Sequence, residues 1–116
     1  MGNYVLFYGW NRPNPGHEKF SLSLFQDFTQ FLGGLQQDGS IDSFETTLLN
    51  AHGGDLNGFT IIRGDIIKLQ EVQRTEEWIM LMTRAGLVMD GGGLITGVTG
   101  ELVMEWMGRW SGLIPE

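Results

Sequence analysis

The order of the apolar patterns along this chain is the feature that most constrains its fold. Strand-like runs are short and apolar or alternating, whereas helical runs repeat apolar residues every three or four positions. The patterns follow one another as a strand at 4–10, a helix at 17–37, two strands within 41–63, a helix at 75–89, a strand at 94–98 and a helix at 101–110. The sequence therefore predicts a β-α-β-β-α-β unit with an additional helix at its end.

The first strand carries apolar side chains on both faces. Successive side chains of a strand point in opposite directions, so one face holds Tyr4, Leu6, Tyr8 and Trp10, and the other holds Val5, Phe7 and Gly9. A strand with water on one side would alternate apolar with polar residues. We therefore expect a central strand that is covered on both sides.

Both long helical patterns are amphipathic. At about 100° per residue the apolar residues of the first pattern fall within an arc of about 140°; they are Phe20, Leu24, Phe25, Phe28, Phe31, Leu32 and Leu35. The second pattern begins with a hydroxyl cap at Thr75, and its stripe is Trp78, Leu81, Met82, Ala85, Val88 and Met89. Ile79, Met80 and Leu87 lie outside that stripe. The back of this helix should therefore pack against the terminal helix or a second subunit.

Composition excludes several classes of function. A chain of 116 residues suits one domain, 1–116. The net charge is −7 and the basic residues are scattered singly, which disfavours a nucleic-acid partner. The start of the chain lacks the features of a signal peptide, and no apolar stretch approaches the roughly 20 residues of a membrane span. Cysteine is absent, which suits a reducing compartment. We therefore expect a soluble cytoplasmic protein that binds neither nucleic acid nor membrane.

Residues that favour turns separate the predicted elements. Two prolines and a glycine within residues 11–16 predict an irregular connection, and Asn57-Gly58 favours a hairpin. Arg63-Gly64-Asp65 is predicted to end a strand in a turn. The run Gly91-Gly92-Gly93 follows a helix and precedes a strand, which is the reverse of the order in a dinucleotide-binding loop.

The predicted order is the split βαβ, or ferredoxin-like, arrangement of an α+β fold with an antiparallel sheet. The chain resembles the dimeric α+β barrel superfamily in this topology, in its doubly apolar first strand and in its appended helix. The stretches that carry the resemblance are 84–88 leading into 91–93, and 52–59 with 62–65; they are similar to small uncharacterised bacterial proteins of that superfamily. The resemblance implies that two sheets pack face to face in a homodimer. Its relatives include cofactor-free monooxygenases, haem-binding proteins and ligand-sensing domains, and none of their catalytic residues can be placed on this sequence.

Five residues near predicted strand ends form the candidate ligand-binding site: Tyr8, Trp10, Asn50, His52 and Arg63. His52 is the one candidate among them whose ordinary pKa is near neutrality. Nothing in the sequence requires a metal or an organic cofactor, because the two histidines, His17 and His52, are far apart and resemble no metal-binding motif. No catalytic residue is assigned.

Two classes of function stay open, and both include a homodimer, because the sheet face away from the helices is apolar. One is an apolar or aromatic small-molecule site within each protomer or barrel, used for binding or for cofactor-free catalysis. The other is a structural or interaction protein whose sheet face serves only dimerisation. A pocket lined by Tyr8 and His52 would favour the first. A barrel filled by Leu6, Tyr8, Leu48 and Ile61 would favour the second.

Overall fold

A computed structural model describes residues 2–115, so the two terminal residues of the expected domain lie outside it. The elements are β1 (Tyr4–Trp10), β2 (Arg12–Pro13), α1 (Glu18–Gln37), β3 (Ser43–Leu48), β4 (Gly58–Gly64), α2 (Ile66–Gln73), α3 (Glu76–Val88), β5 (Met89–Asp90), β6 (Gly93–Val98) and α4 (Glu101–Leu113). The predicted β-α-β-β-α-β order is confirmed, as is the additional terminal helix.

The main sheet has four antiparallel strands in the order β3-β4-β1-β6. The central position predicted for β1 is confirmed, because Leu6 pairs with Ile62 of β4 on one side and with Thr96 of β6 on the other. β6 and β3 form the two edges. The sheet therefore has the ferredoxin-like topology.

Helices α1 and α3 pack side by side on one face of the sheet. Leu24, Phe28 and Leu32 of α1 are buried at the spacing that the sequence predicts. Their core partners include Leu6, Tyr8, Trp10, Ile62, Trp78, Leu81, Ala85 and Val88. The α3 cap is also as predicted, since the Thr75 hydroxyl accepts a hydrogen bond from the backbone N–H of Trp78. Phe20 is an exception to the predicted stripe: it lies in the first turn of α1 and is 57% exposed.

The expected turn after β4 is instead the start of a helix. β4 ends at Gly64, and the Asp65 carboxylate accepts hydrogen bonds from the backbone N–H groups of Ile67 and Lys68. These are bonds of an N-cap, and α2 follows with Leu69 and Val72 buried. The sequence prediction missed α2 because two buried residues in eight give a weak periodic signal.

The predicted irregular connection after β1 contains a short strand pair. Arg12 pairs with Asp90, and Pro13 pairs with Met89. This small ladder holds the end of α3 beside the start of α1, and the His17 ring nitrogen Nδ1 lies 3.1 Å from the carbonyl oxygen of Leu87.

The second face of the sheet is open in the single chain that the structure describes, so cover on that side of β1 stays a prediction that depends on a second subunit. Phe7 stacks on Phe59 there, with ring centroids 5.0 Å apart. Other apolar residues on this open sheet face are Val5, Ile61 and Ile95. The four residues that the sequence suggested as the filling of a barrel do not lie together. Leu6 and Tyr8 are buried under the helices, and Leu48 is 75% exposed. Of those four residues, Ile61 lies on the open sheet face.

The terminal helix does not cover the back of α3. Ile79, Met80 and Leu87 are exposed, and α4 has no buried residue. The helix extends three residues beyond the predicted 101–110, to Leu113. Within residues 2–115, none of the helices has both the length and the hydrophobicity needed to cross a membrane.

Candidate functional site

A cavity of about 410 Å³ opens between α3 and the β1–β6 side of the sheet. We call it the Tyr8 cavity, and its lining residues are Tyr8, Met82, Ala85, Gly86, Met89, Gly91, Gly92, Gly93 and Leu94. Its volume lies in the range of about 300–1,000 Å³ that is typical of small-molecule sites. The side chains are apolar except for the Tyr8 hydroxyl.

The glycine run between β5 and β6 forms one wall of this cavity. Gly91 has a φ of +66°, a conformation that glycine adopts without steric cost. A Cβ at Gly92 would lie 2.7 Å from the Tyr8 hydroxyl. The run therefore turns the chain from α3 into β6 and brings its backbone close to Tyr8, which a side chain at Gly92 would prevent.

Tyr8 projects from the centre of β1 towards the helices. It pairs across the sheet with Leu94 and Thr60, and its ring lies 5.7 Å from that of Trp10 and 6.3 Å from that of Phe28. These contacts fix the ring, so that the hydroxyl lies at the cavity wall.

The Tyr8 hydroxyl is a protonated donor at neutral pH. Burial raises the pKa of Tyr8 above the ordinary value of 10.0, because a low-dielectric environment disfavours the charged form. Within residues 2–115 no hydrogen bond joins this hydroxyl to another residue, and no buried side-chain polar atom is left unpaired. The hydroxyl is therefore accessible from the cavity and free to bond to whatever occupies it.

Three of the five residues predicted as a site lie away from the Tyr8 cavity. Asn50 and His52 are exposed in the loop between β3 and β4, where His52 Nδ1 lies 2.9 Å from the carbonyl oxygen of Asn50. Arg63 projects from the opposite face of the sheet, with its guanidinium 4.0 Å from the Glu45 carboxylate.

The other two predicted residues, Tyr8 and Trp10, are brought together. Trp10 is buried and packs on Phe25, with ring centroids 4.7 Å apart. A Cβ at Gly58 would lie 2.5 Å from the Trp10 ring, so the glycine of the predicted Asn-Gly hairpin signal also makes room for this side chain. Trp10 therefore supports Tyr8 from the side that faces away from the cavity lining.

Sequence reasoning missed Met82, Met89 and Leu94 as lining residues. The first two were assigned to the core stripe of α3; Met82 does lie in that helix, whereas Met89 follows its last residue and starts β5. The glycine run was a usable signal. Three glycines beside a central strand that ends in aromatic residues indicate close approach of a backbone.

A second cavity of about 340 Å³ lies at the other end of the β1–β6 pair. This second cavity differs from the Tyr8 cavity in having several uncharged polar side chains in its lining: Tyr4, Gln70, Gln73 and Thr96. Trp106 of α4 also contributes to its wall. Within residues 2–115 no three metal-binding side chains come together.

Comparisons with proteins of known structure agree with this fold. A dimeric protein of unknown function and ferredoxin-like fold from Bacteroides fragilis superimposes with a TM-score of 0.61 at 11% identity, covering 84% of this chain and 97% of its own. An ethyl tert-butyl ether d (EthD) family protein from Bacillus halodurans gives 0.57 at 14% identity, covering 84% and 99%. SnoaB, a cofactor-independent oxygenase from Streptomyces nogalater, gives 0.53 at 15% identity, covering 85% and 93%.

At these identities the likeness shows the fold alone, and the ferredoxin-like fold expected from the sequence is confirmed. No protein-family model matches the chain. No curated protein matches it either.

Proposed function

We propose that this protein is a homodimeric α+β barrel that binds an uncharged apolar or aromatic small molecule in the Tyr8 cavity of each protomer. The observation that carries the proposal is the Tyr8 hydroxyl, which is held at the wall of an apolar cavity without a partner of its own. A site of this kind takes its affinity from apolar burial and its orientation from one hydrogen bond. No lining residue is charged, so a neutral ligand fits best.

Dimerisation is supported by the open sheet face. The Phe7–Phe59 pair and its apolar neighbours form a contiguous patch, which monomeric proteins rarely leave in water. One structural neighbour is described as dimeric, in agreement with the homodimer that the sequence predicts.

Binding is favoured over catalysis by the composition of the cavity. Tyr8 is the one titratable residue among the nine that line it, and its raised pKa makes it a poor base at neutral pH. One structural neighbour is a cofactor-independent oxygenase. A reaction of that kind here would need a ligand that supplies its own reactive group, since no lining side chain supplies a base.

The test is a thermal-shift screen of neutral apolar and aromatic compounds, followed by titration of each hit against variants. Tyr8→Phe removes the hydroxyl and keeps the ring, so it should weaken binding about 3- to 10-fold, the equivalent of one hydrogen bond. His52→Ala changes the exposed loop and should leave the affinity unchanged. Loss of binding in His52→Ala, with full binding in Tyr8→Phe, would move the site to that loop.

A structural or interaction role is the second candidate, and the open sheet face favours it. In that case the sheet face serves only dimerisation, and the Tyr8 cavity holds water. The absence of any stabilising compound in a broad screen, together with a wild-type dimer, would make this second candidate the better one.

A further inference from the structure

Helix α4 presents its apolar side to solvent. At helical spacing, Val103, Trp106, Met107 and Trp110 form one stripe that continues to Ile114, the residue that caps the end of the helix, and Glu101, Glu105 and Arg109 lie on the opposite side. The exposure of the stripe rises along the chain: 38% at Val103, 40% at Trp106, 50% at Met107, 59% at Trp110 and 67% at Ile114. The helix therefore diverges from its own protomer towards its end.

An uncovered helix of this length is not stable by itself. Isolated helices shorter than about 12–15 residues are marginal in water, and tertiary packing of the apolar side supplies most of their stability. α4 has 13 residues and none of them is buried. The apolar stripe of α4 therefore needs a cover beyond the part of its own protomer from which the helix starts.

The charge of α4 disfavours a membrane surface as the cover. Helices that lie on membranes carry Lys and Arg on their polar side. α4 has one basic residue, Arg109, against two acidic residues, Glu101 and Glu105, and the chain as a whole has a net charge of −7.

The position of α4 points to a second copy of the chain. The helix follows β6, an edge strand that contributes Ile95 to the open sheet face. Its start is held against β1, because the backbone N–H of Thr99 donates to the carbonyl oxygen of Asn3 at 2.9 Å. Gly100, with a φ of +62°, then redirects the chain. The arm therefore starts at an edge strand that borders both faces of the sheet: Trp106 lines the second cavity on the helix-covered side, and the strand itself borders the proposed interface.

The size of the open sheet face gives a further reason for an arm. Four strands of about six residues, about 4.8 Å apart and about 3.3 Å per residue, cover about 400 Å² in projection. A stable interface buries roughly 800 Å² on each partner. The α4 stripe, with its two tryptophans, is a further apolar surface of the protomer that can enlarge this contact.

We propose that α4 is an exchanged arm, which packs its stripe of Val103, Trp106, Met107, Trp110 and Ile114 on the second copy. This inference rests on the homodimer of the proposed function and adds the element that completes it. The extent of the protomer, 55 Å in its longest dimension with a radius of gyration of 16.1 Å, agrees with an arm, because a compact chain of about 100 residues has a radius of about 13 Å.

The first test is the dimer dissociation constant, measured by light scattering over a range of concentrations. Trp110→Glu places a charge on the stripe and should raise the constant at least tenfold, because buried tryptophans dominate interface energies. Met104→Glu is the matched control: Met104 is in the same helix and exposed, but lies off the stripe. It should leave the constant unchanged. Equal constants for Trp110→Glu and the wild type would overturn the arm while leaving the dimer intact.

The second test is amide hydrogen exchange of α4. Residues 104–113 should exchange slowly in the wild-type dimer and fast in a monomer, obtained by dilution or by Phe7→Glu on the open sheet face. Slow exchange in both forms would mean that α4 packs on its own protomer, and fast exchange in the dimer would mean that nothing covers it; either result overturns the arm.

A wild type that is monomeric at all concentrations refutes the dimer itself, whereas ligand binding in the Tyr8 cavity is scored independently by thermal shift.

Discussion

The hydroxyl of Tyr8 lies 2.7 Å from the point where a side chain at Gly92 would begin. Gly92→Ala would therefore force apart two groups that both line the Tyr8 cavity. We expect the free energy of unfolding to fall by about 1–3 kcal/mol, the usual cost of overpacking, and any ligand of the cavity to bind more weakly. Gly93→Ala is the control, because a Cβ there meets nothing within 4 Å. Equal denaturation midpoints for the two variants would contradict the placement of the glycine run.

Tyr8 should also make the protein less stable at alkaline pH. Its folded-state pKa lies above the ordinary value of 10.0 because of burial, so the unfolded chain loses this proton first. The contribution of Tyr8 to the free energy of unfolding is fully present below pH 10, and it is lost as the pH rises through the folded-state pKa. Denaturation at rising pH should show a steeper loss in the wild type than in Tyr8→Phe. Parallel curves would mean that the Tyr8 hydroxyl is not shielded from water.

The helical phase of α1 is tested by two substitutions on opposite sides. Phe28 is buried against Tyr8 and Trp78, so Phe28→Ala should lower the free energy of unfolding by about 3–5 kcal/mol. Ser23 is exposed, and its hydroxyl donates to the carbonyl oxygen of Phe20 within the same helix. Ser23→Ala should change stability by less than about 0.5 kcal/mol. Chemical denaturation of both variants gives the comparison.

The cap of α2 gives a prediction for an element that sequence analysis missed. Asp65→Ala removes the acceptor of two backbone N–H groups and should cost about 0.5–2 kcal/mol. Asp65→Ser keeps a capping oxygen and should recover most of that loss. If the serine variant is as unstable as the alanine variant, Asp65 stabilises the protein in some other way than as a cap.

The proposed homodimer predicts a specific effect of charge on the open sheet face. Phe7→Glu places a carboxylate in the centre of that face, beside Phe59, and should convert the dimer to a monomer of 13.0 kDa. Leu22→Glu changes an exposed residue of α1 and should leave the mass in solution unchanged. If the wild type is already a 13.0 kDa species at micromolar concentration, the proposed dimer is refuted.

The sequence predicted the elements whose periodicity is long or strict. The α1 stripe around Phe28 and the capped start of α3 at Thr75 could be placed within a residue or two, because many buried positions repeat there. α2 and the β2–β5 pair escaped prediction, since an eight-residue helix and a two-residue ladder contain too few positions to set a period.

The site was less predictable than the fold because it depends on which face of β1 the helices cover. Alternation assigns Tyr8 and Trp10 to one face, but it does not say whether Arg63 of the neighbouring strand shares it. The register decides this: Arg63 pairs with Val5, a residue of the open sheet face. β3 ends at Leu48, so Asn50 and His52 lie in the loop that follows it, away from Tyr8.

The alternation of β1 has a consequence for how this protein can change. Leu6 and Tyr8 belong to the helix-covered side, while Val5 and Phe7 belong to the open sheet face. A slip of one residue in the pairing of a strand turns every side chain to the opposite face. In β1 such a slip would move the Tyr8 hydroxyl to the open sheet face and the Phe7 ring to the helix-covered side. One register of hydrogen bonds therefore places the residues of both the proposed ligand site and the proposed dimer interface, so insertions or deletions within this strand should disrupt both together.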